Sequence, residues 1–282
     1  MRAKSPFSML GVFLLTLAVT LRSMNSVKLI TSPDNTQFKH LRKIAHSARD
    51  RRKAGQTLLD GVHLLVAMAD AGIKPQLIAV REGREQEAEI SGCLARFPDV
   101  ACLRLNARLF DAISPVEHPV GIVALMDIPR PAVGSDQCGV LLENIQDPGN
   151  LGSIMRTAAA AGANAVYLSK GCAEAWSPKV MRAAMGAHFA LAIDERQDLT
   201  TLSARFETIV ATRLESQRSL YDGLDLKGPV AFLFGNEGAG LSDEAAACAT
   251  DIVRIPMPGE VESLNVAAAV AVCLFERVRQ LT

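Results

Sequence analysis

The sequence predicts an α/β protein whose C-terminal half is a mainly parallel, doubly wound sheet, preceded by a smaller α/β unit. Two observations carry this. From Cys138 onward, short apolar runs of strand length alternate with helix-length segments, the pattern of βα units that build a parallel sheet. Between the halves, residues 126–137 read Met-Asp-Ile-Pro-Arg-Pro-Ala-Val-Gly-Ser-Asp-Gln, a proline-rich stretch that breaks the apolar rhythm and reads as a linker. At 282 residues the chain has room for two domains of ordinary size. The expected divisions are 1–24 as a leader or mis-assigned start, 25–125, the linker 126–137, and 138–282.

The leader reading rests on Arg2 and Lys4 ahead of an apolar run from Met9 to Val19. That run imitates a signal peptide but falls short of the ~20 apolar residues of a membrane span, and no small-x-small cleavage site follows it. In the first unit, residues 35–54 read as one helix with a basic face, and Leu58-Leu59 as a short strand. A helix over 62–71 stops at Gly72, 77–80 is a strand, 84–97 a charged helix ahead of Pro98, and 100–105 a strand. In the second unit, strands are expected at 139–143, 165–169, 189–193, 208–212, 230–234 and 251–255. Helices are expected at 151–161 and 178–186, the latter opened by Ser177 and Pro178, then near 198–206, at 242–248 and at 263–279.

Parallel α/β sheets bind ligands at the carboxyl ends of their strands. Three polar, glycine- or proline-rich segments sit at such ends: 144–150, 235–240 and 256–262. They predict one shared site. Gly235, Gly238 and Gly240 form G-x-x-G-x-G, which is neither the dinucleotide fingerprint nor a P-loop. A tight strand-to-helix turn would explain the glycines alone. Asn236 and Glu237 between them favour function, because a carboxylate there has little packing role. Pro256, Pro258 and Gly259 make a stiff loop that exposes backbone groups to a ligand.

Lys+Arg 30 balances Asp+Glu 30, so any nucleic-acid surface must be local. Lys39, Arg42, Lys43, Arg49, Arg51, Arg52 and Lys53 crowd one region in which Asp50 is the only acid, giving a face suited to RNA phosphates or a solvated charged surface. The six cysteines, Cys93, Cys102, Cys138, Cys172, Cys248 and Cys273, form no CxxC pair and no zinc-ligand cluster; no metal is expected, and the thiols read as reduced and cytosolic.

Asn150-Leu-Gly-Ser-Ile-Met-Arg156, Leu233-Phe-Gly-Asn-Glu-Gly-Ala-Gly-Leu241 and Ile255-Pro-Met-Pro-Gly-Glu-Val-Glu-Ser-Leu-Asn-Val266 resemble, in order and wording, the three motifs of the SpoU (TrmH-like) RNA 2'-O-ribose methyltransferases of the SPOUT superfamily. Ser32-Pro-Asp-Asn-Thr-Gln-Phe-Lys39 and Leu58-Leu-Asp-Gly-Val-His-Leu-Leu65 resemble, more loosely, that family's L30e-like substrate-binding domain, with Asp60 where the family often has Glu. The resemblance covers about residues 25–280. It implies a deep trefoil knot in the C-terminal domain, S-adenosylmethionine as cofactor, a homodimer formed through that domain, and RNA as substrate, ribosomal favoured over transfer. It assigns Asn150, Arg156, Glu237, Ser263 and Asn265 to catalysis, and Gly235, Ile255, Met257 and Leu264 to the cofactor. In the family the arginine is thought to assist deprotonation. An arginine side chain stays protonated at neutral pH and so is poorly suited to accept a proton, which makes positioning of phosphate and ribose the easier role. Lys179 and Arg182 are expected to face RNA phosphate, a dimer partner or solvent; His188 is expected in the core or an interface, and Trp176 buried, the alternative for it being stacking on a base. The competing readings are a non-catalytic RNA-binding protein of this fold and an RNA base methyltransferase.

Overall fold

The computed structural model describes residues 29–114, 116, 119–130 and 137–282; the leader and half of the expected linker lie outside them. The chain divides into two compact units between Ile128 and Pro129.

The first unit runs β1 (Leu29–Ile30), α1 (Thr36–His46), α2 (Ala48–Ala54), β2 (Gln56–Asp60), α3 (Val62–Asp70), β3 (Leu77–Arg81), α4 (Ala88–Leu94), β4 (Cys102–Leu105), α5 (Ala107–Asp111) and β5 (Ile122–Asp127). Its sheet has the order β1-β4-β3-β5-β2. β1, β4 and β3 are parallel, while β5 runs antiparallel to β3 and β2. Phe38, Leu41 and Ile44 of α1 pack with Leu58, Ala79, Leu105 and Phe110 into one core.

Two expectations change here. The helix read over 35–54 is two helices. Ser47 leaves helical geometry (φ −120°, ψ 109°), and its hydroxyl accepts from the Asp50 amide at 3.1 Å, a local side-chain bond that competes with helix continuation. The break also removes Arg51 from the basic face. Its guanidinium is buried and donates to the Ile44 and Ala45 carbonyls at 2.7 and 3.1 Å, capping the end of α1. Lys39, Arg42, Lys43, Arg49, Arg52 and Lys53 remain exposed. The linker starts later than read, because Met126 and Asp127 pair with Thr57 and Gln56 as the end of β5.

The second unit runs β6 (Cys138–Leu142), α6 (Pro148–Ala160), β7 (Ala165–Ser169), α7 (Pro178–Ala184), β8 (Ala192–Gln197), β9 (Thr208–Thr212), β10 (Val230–Phe234), α8 (Asp243–Ala246), β11 (Asp251–Val253) and α9 (Val266–Leu281). All strand pairs are parallel, in the order β11-β9-β10-β6-β7-β8. Leu141, Tyr167, Ile209, Ala231 and Leu233 project to one face and meet Leu199, Leu202, Phe206 and Ala245. The alternate residues face the other way, where α9 lies on β10 and against α6. Apolar residues on both sides of each strand therefore follow from cover on both faces.

Three boundaries move for identifiable reasons. Met185 and Gly186 turn left-handed (φ 51° and 90°), stopping α7 early and pushing β8 three residues beyond its expected start. The helix expected near 198–206 is a 3-10 segment, Leu199–Arg205. α9 begins at Val266 because the Asn265 side chain caps it, accepting from the Ala267 amide at 2.9 Å.

From β6 the chain builds outward through β7 and β8, then returns to the other side as β9, β10 and β11. The strand order thus reverses between β6 and β10, and the crevice of such a sheet opens beyond the carboxyl ends at that reversal.

Candidate active site

The loops after β6 and β10 meet at the reversal. Asp147 caps α6, accepting from the Asn150 amide at 2.7 Å, with Pro148 in the first turn. This places the Asn150 side chain at the crevice. Its Nδ2 donates to Glu237 Oε1 at 2.8 Å, and its Oδ1 accepts from Asn265 Nδ2 at 3.0 Å. Residues 115 positions apart, on the loops of three different strands, thereby form one hydrogen-bonded chain, Asn265 to Asn150 to Glu237. Its direction is fixed at the helix end, because Asn265 Oδ1 is taken by the Ala267 amide.

The loop carrying Glu237 is built by its neighbours. The Asn236 and Gly240 backbones exchange hydrogen bonds at 3.0 and 2.9 Å. Asn236 Oδ1 accepts from the Gly238 and Ala239 amides, and its Nδ2 donates to the Asn144 carbonyl at 2.9 Å. Gly240 takes φ +68°, and a Cβ on Gly235 would lie 2.2 Å from Gly240 carbonyl atoms. Both glycines are therefore demanded by backbone geometry. Glu143 accepts from the amide and hydroxyl of Ser242 at 2.8 and 2.7 Å, tying the end of β6 to the start of α8.

Under this loop lies a cavity of about 660 Å³, lined by Gly235, Glu237, Ile255, Met257, Ser263 and Leu264 among others. All four residues expected to hold the cofactor are in its wall. Its size suits a small-molecule site, about 300–1,000 Å³. Residues 212–215, beyond β9, also line it. The sequence reading missed these and Glu143; it placed Asn144 and Asn236 in the site-forming segments but gave neither its structural role. The position of β9 beside β10 would have pointed to the first group, but that adjacency is not visible in local sequence.

Of the five residues expected to be catalytic, Asn150, Glu237 and Asn265 are bonded together and Ser263 faces the cavity. Arg156 stands apart, on the solvent-facing stripe of α6 formed with Gly149, Ser153 and Ala160. It has no hydrogen bond or ion pair among the described residues, which leaves its guanidinium available to a substrate. His188 is buried, 2.7 Å from the Ala175 carbonyl and against Trp176, and burial pushes its imidazole down to about 4. All six cysteines are free; burial pushes the Cys93 thiol up to about 11 and the Cys273 thiol up to about 12. Among the described residues no group of three or more His, Cys, Asp or Glu is gathered for a metal, and no helix is long and apolar enough to cross a membrane.

A parallel sheet with a polar crevice at its strand reversal defines a small-ligand enzyme fold, and comparison with known proteins gives the family. Residues 137–275 match the SpoU rRNA methylase family, and residues 35–124 match an MRM3-like substrate-binding domain. A tRNA/rRNA methyltransferase of Synechocystis, itself uncharacterized, is 34% identical over 89% of this chain and 93% of its own. A 23S rRNA guanosine 2'-O-methyltransferase of Bacillus subtilis is 32% identical over 88% and 98%. The SpoU methyltransferase AviRb of Streptomyces viridochromogenes, solved with AdoMet, superposes with a TM-score of 0.79 at 27% identity over 88% and 98% of the two chains. The chain belongs to the SpoU rRNA methylase family. It is an RNA ribose 2'-O-methyltransferase that uses S-adenosylmethionine.

Proposed function

We propose that the chain methylates a ribose 2'-hydroxyl of ribosomal RNA with the cavity beneath the Gly235 loop as cofactor site and the Asn265–Asn150–Glu237 chain, with Arg156, as the substrate side. The observation that carries this reading is the pair of hydrogen bonds, 2.8 and 3.0 Å, that join three distant sequence segments at the cavity mouth. The cavity fits the cofactor's needs: backbone approaches closely at Gly235, and Ile255, Met257 and Leu264 supply apolar wall. Bound there, S-adenosylmethionine supplies an electrophilic methyl group on a sulfonium.

The chain's own residues do the rest. Asn150 and Asn236 hold the Glu237 carboxylate in one orientation at the mouth. Ser263 presents a hydroxyl to the same space. Arg156 draws in the phosphate of the target nucleotide, and its charge favours the ribose oxygen as the hydroxyl proton passes to solvent. The first unit, with Lys39, Arg42, Lys43, Arg49, Arg52 and Lys53, is the RNA-recruiting domain of L30e-like type; its match to a substrate-binding family supports that. The second unit carries the SPOUT knot, pairs with a second copy, and works in the cytoplasm, in keeping with six free thiols.

The test is transfer of labelled methyl to transcribed 23S rRNA by the full chain, followed by digestion to nucleosides. A 2'-O-methylnucleoside is expected. Label in a base would support the base-methylating alternative, and RNA binding without transfer the non-catalytic one.

A further inference from the structure

We infer that α6 and α7 together form a second RNA-phosphate surface, on the catalytic unit itself, with Lys179 and Arg182 as its anchors beside Arg156. This rests on the methyltransferase reading above. The two helices touch almost backbone to backbone. A Cβ on Gly152 would lie 2.3 Å from Ala183 Cβ and 2.9 Å from the Val180 carbonyl oxygen. Gly152 thus locks α6 onto the middle of α7, one turn from Arg156 on one helix and beside Lys179 and Arg182 on the other.

All three cations are exposed, and none has a hydrogen bond or ion pair among the described residues. Elsewhere in this unit some exposed arginines find carboxylates, as Arg218 finds Asp251 and Arg279 finds Glu276. Acids are sparse along these two helices: between Asp147 and Asp194 the sequence holds Arg156, Lys170, Lys179 and Arg182 but a single acid, Glu174. Glu174 is already engaged elsewhere.

That charge pattern selects the partner. In a two-fold contact the same patch meets itself, so this cation-rich, acid-poor surface would bring like charges together. A polyanion is the complementary partner, and the patch flanks the helix that delivers Asn150 to the crevice. It would hold the phosphates next to the target ribose, a contact separate from those made by the basic helices of the first unit.

The test uses the full chain and transcribed 23S rRNA, comparing wild type with Lys179→Ala/Arg182→Ala and with the charge-keeping Lys179→Arg/Arg182→Lys. The double alanine variant should raise the RNA KM roughly tenfold with a smaller change in kcat, and should flatten the salt dependence of RNA binding by about 1.4–1.8 in log–log slope, two phosphate contacts' worth. Affinity for S-adenosylhomocysteine and sedimentation should match wild type, and the charge-keeping variant should restore the slope. Unchanged KM and slope would overturn the inference, as would an unchanged slope with a shift to monomer, which would make the patch a subunit contact. Failure of wild type to transfer methyl at all would count against the enzymatic reading instead, because the salt slope is measured on binding alone.

Discussion

Replacing Gly235 by alanine should disable cofactor binding, whereas the same change at Gly238, three residues along the loop, should not. At Gly235 the added methyl would sit 2.2 Å from the Gly240 carbonyl carbon and oxygen and 2.4 Å from the Leu241 nitrogen, all backbone atoms held by the Asn236–Gly240 hydrogen bonds. No flexible side chain can swing aside, so the loop must open. Overpacking of this kind costs about 1–3 kcal/mol. Because the loop walls the cavity, that cost falls on the binding-competent shape and weakens affinity by about 5- to 150-fold. At Gly238 the nearest atom is Asn236 Oδ1 at 3.6 Å, an ordinary contact, and affinity should stay within about twofold. Calorimetric titration of both variants with S-adenosylhomocysteine, beside their thermal unfolding curves, decides the matter. A folded Gly235→Ala protein that binds within twofold of wild type, or a Gly238→Ala protein that binds as poorly, would refute the reasoning.

Arg156→Ala should lower kcat by about 10²–10³ with cofactor affinity unchanged, because among the described residues the side chain has no hydrogen bond or ion pair; single-turnover methylation and calorimetry separate the two effects. Arg51→Ala should cost about 2–3 kcal/mol of stability in urea unfolding, since two carbonyls at the end of α1 lose their donor. Arg49→Ala/Arg52→Ala/Lys53→Ala should instead leave unfolding unchanged and flatten the salt dependence of RNA binding by about 2–3. His188 is held neutral by burial, its pKa lowered from 6.5 to about 4. The unfolded chain takes up that proton first, so stability is full above pH 6.5 and falls as pH drops towards 4, by at most roughly 3 kcal/mol. His188→Gln should flatten the urea-midpoint profile in that window.

The strands of the second unit were legible because apolar runs such as 165–169, 208–212 and 230–234 are buried on both faces and bounded by glycine or polar residues. The first unit was less so. Residues 35–54 keep helical periodicity across Ser47, and nothing in local composition announces that the Ser47 hydroxyl will start a new helix or that Arg51 will turn inward. The site shows the same limit. Glycine and carboxylate motifs pointed to the loops, but the bond between Asn236 and Asn144 and the entry of residues 212–215 follow from the neighbour relations of β6, β9 and β10, which only the sheet order supplies. Asn265 shows how a capping reading and a functional one coincide: one side chain closes α9 through Oδ1 and holds Asn150 through Nδ2.

The central claim is that this site methylates a ribose oxygen of ribosomal RNA, and the most direct measurement is a map of 2'-O-methyl positions in the ribosomal RNA of cells with and without the protein. The account predicts that one position loses its methyl group when the protein is removed, regains it with the wild-type chain, and stays bare with Arg156→Ala expressed at equal level. An unchanged map, or full restoration by Arg156→Ala, would contradict it.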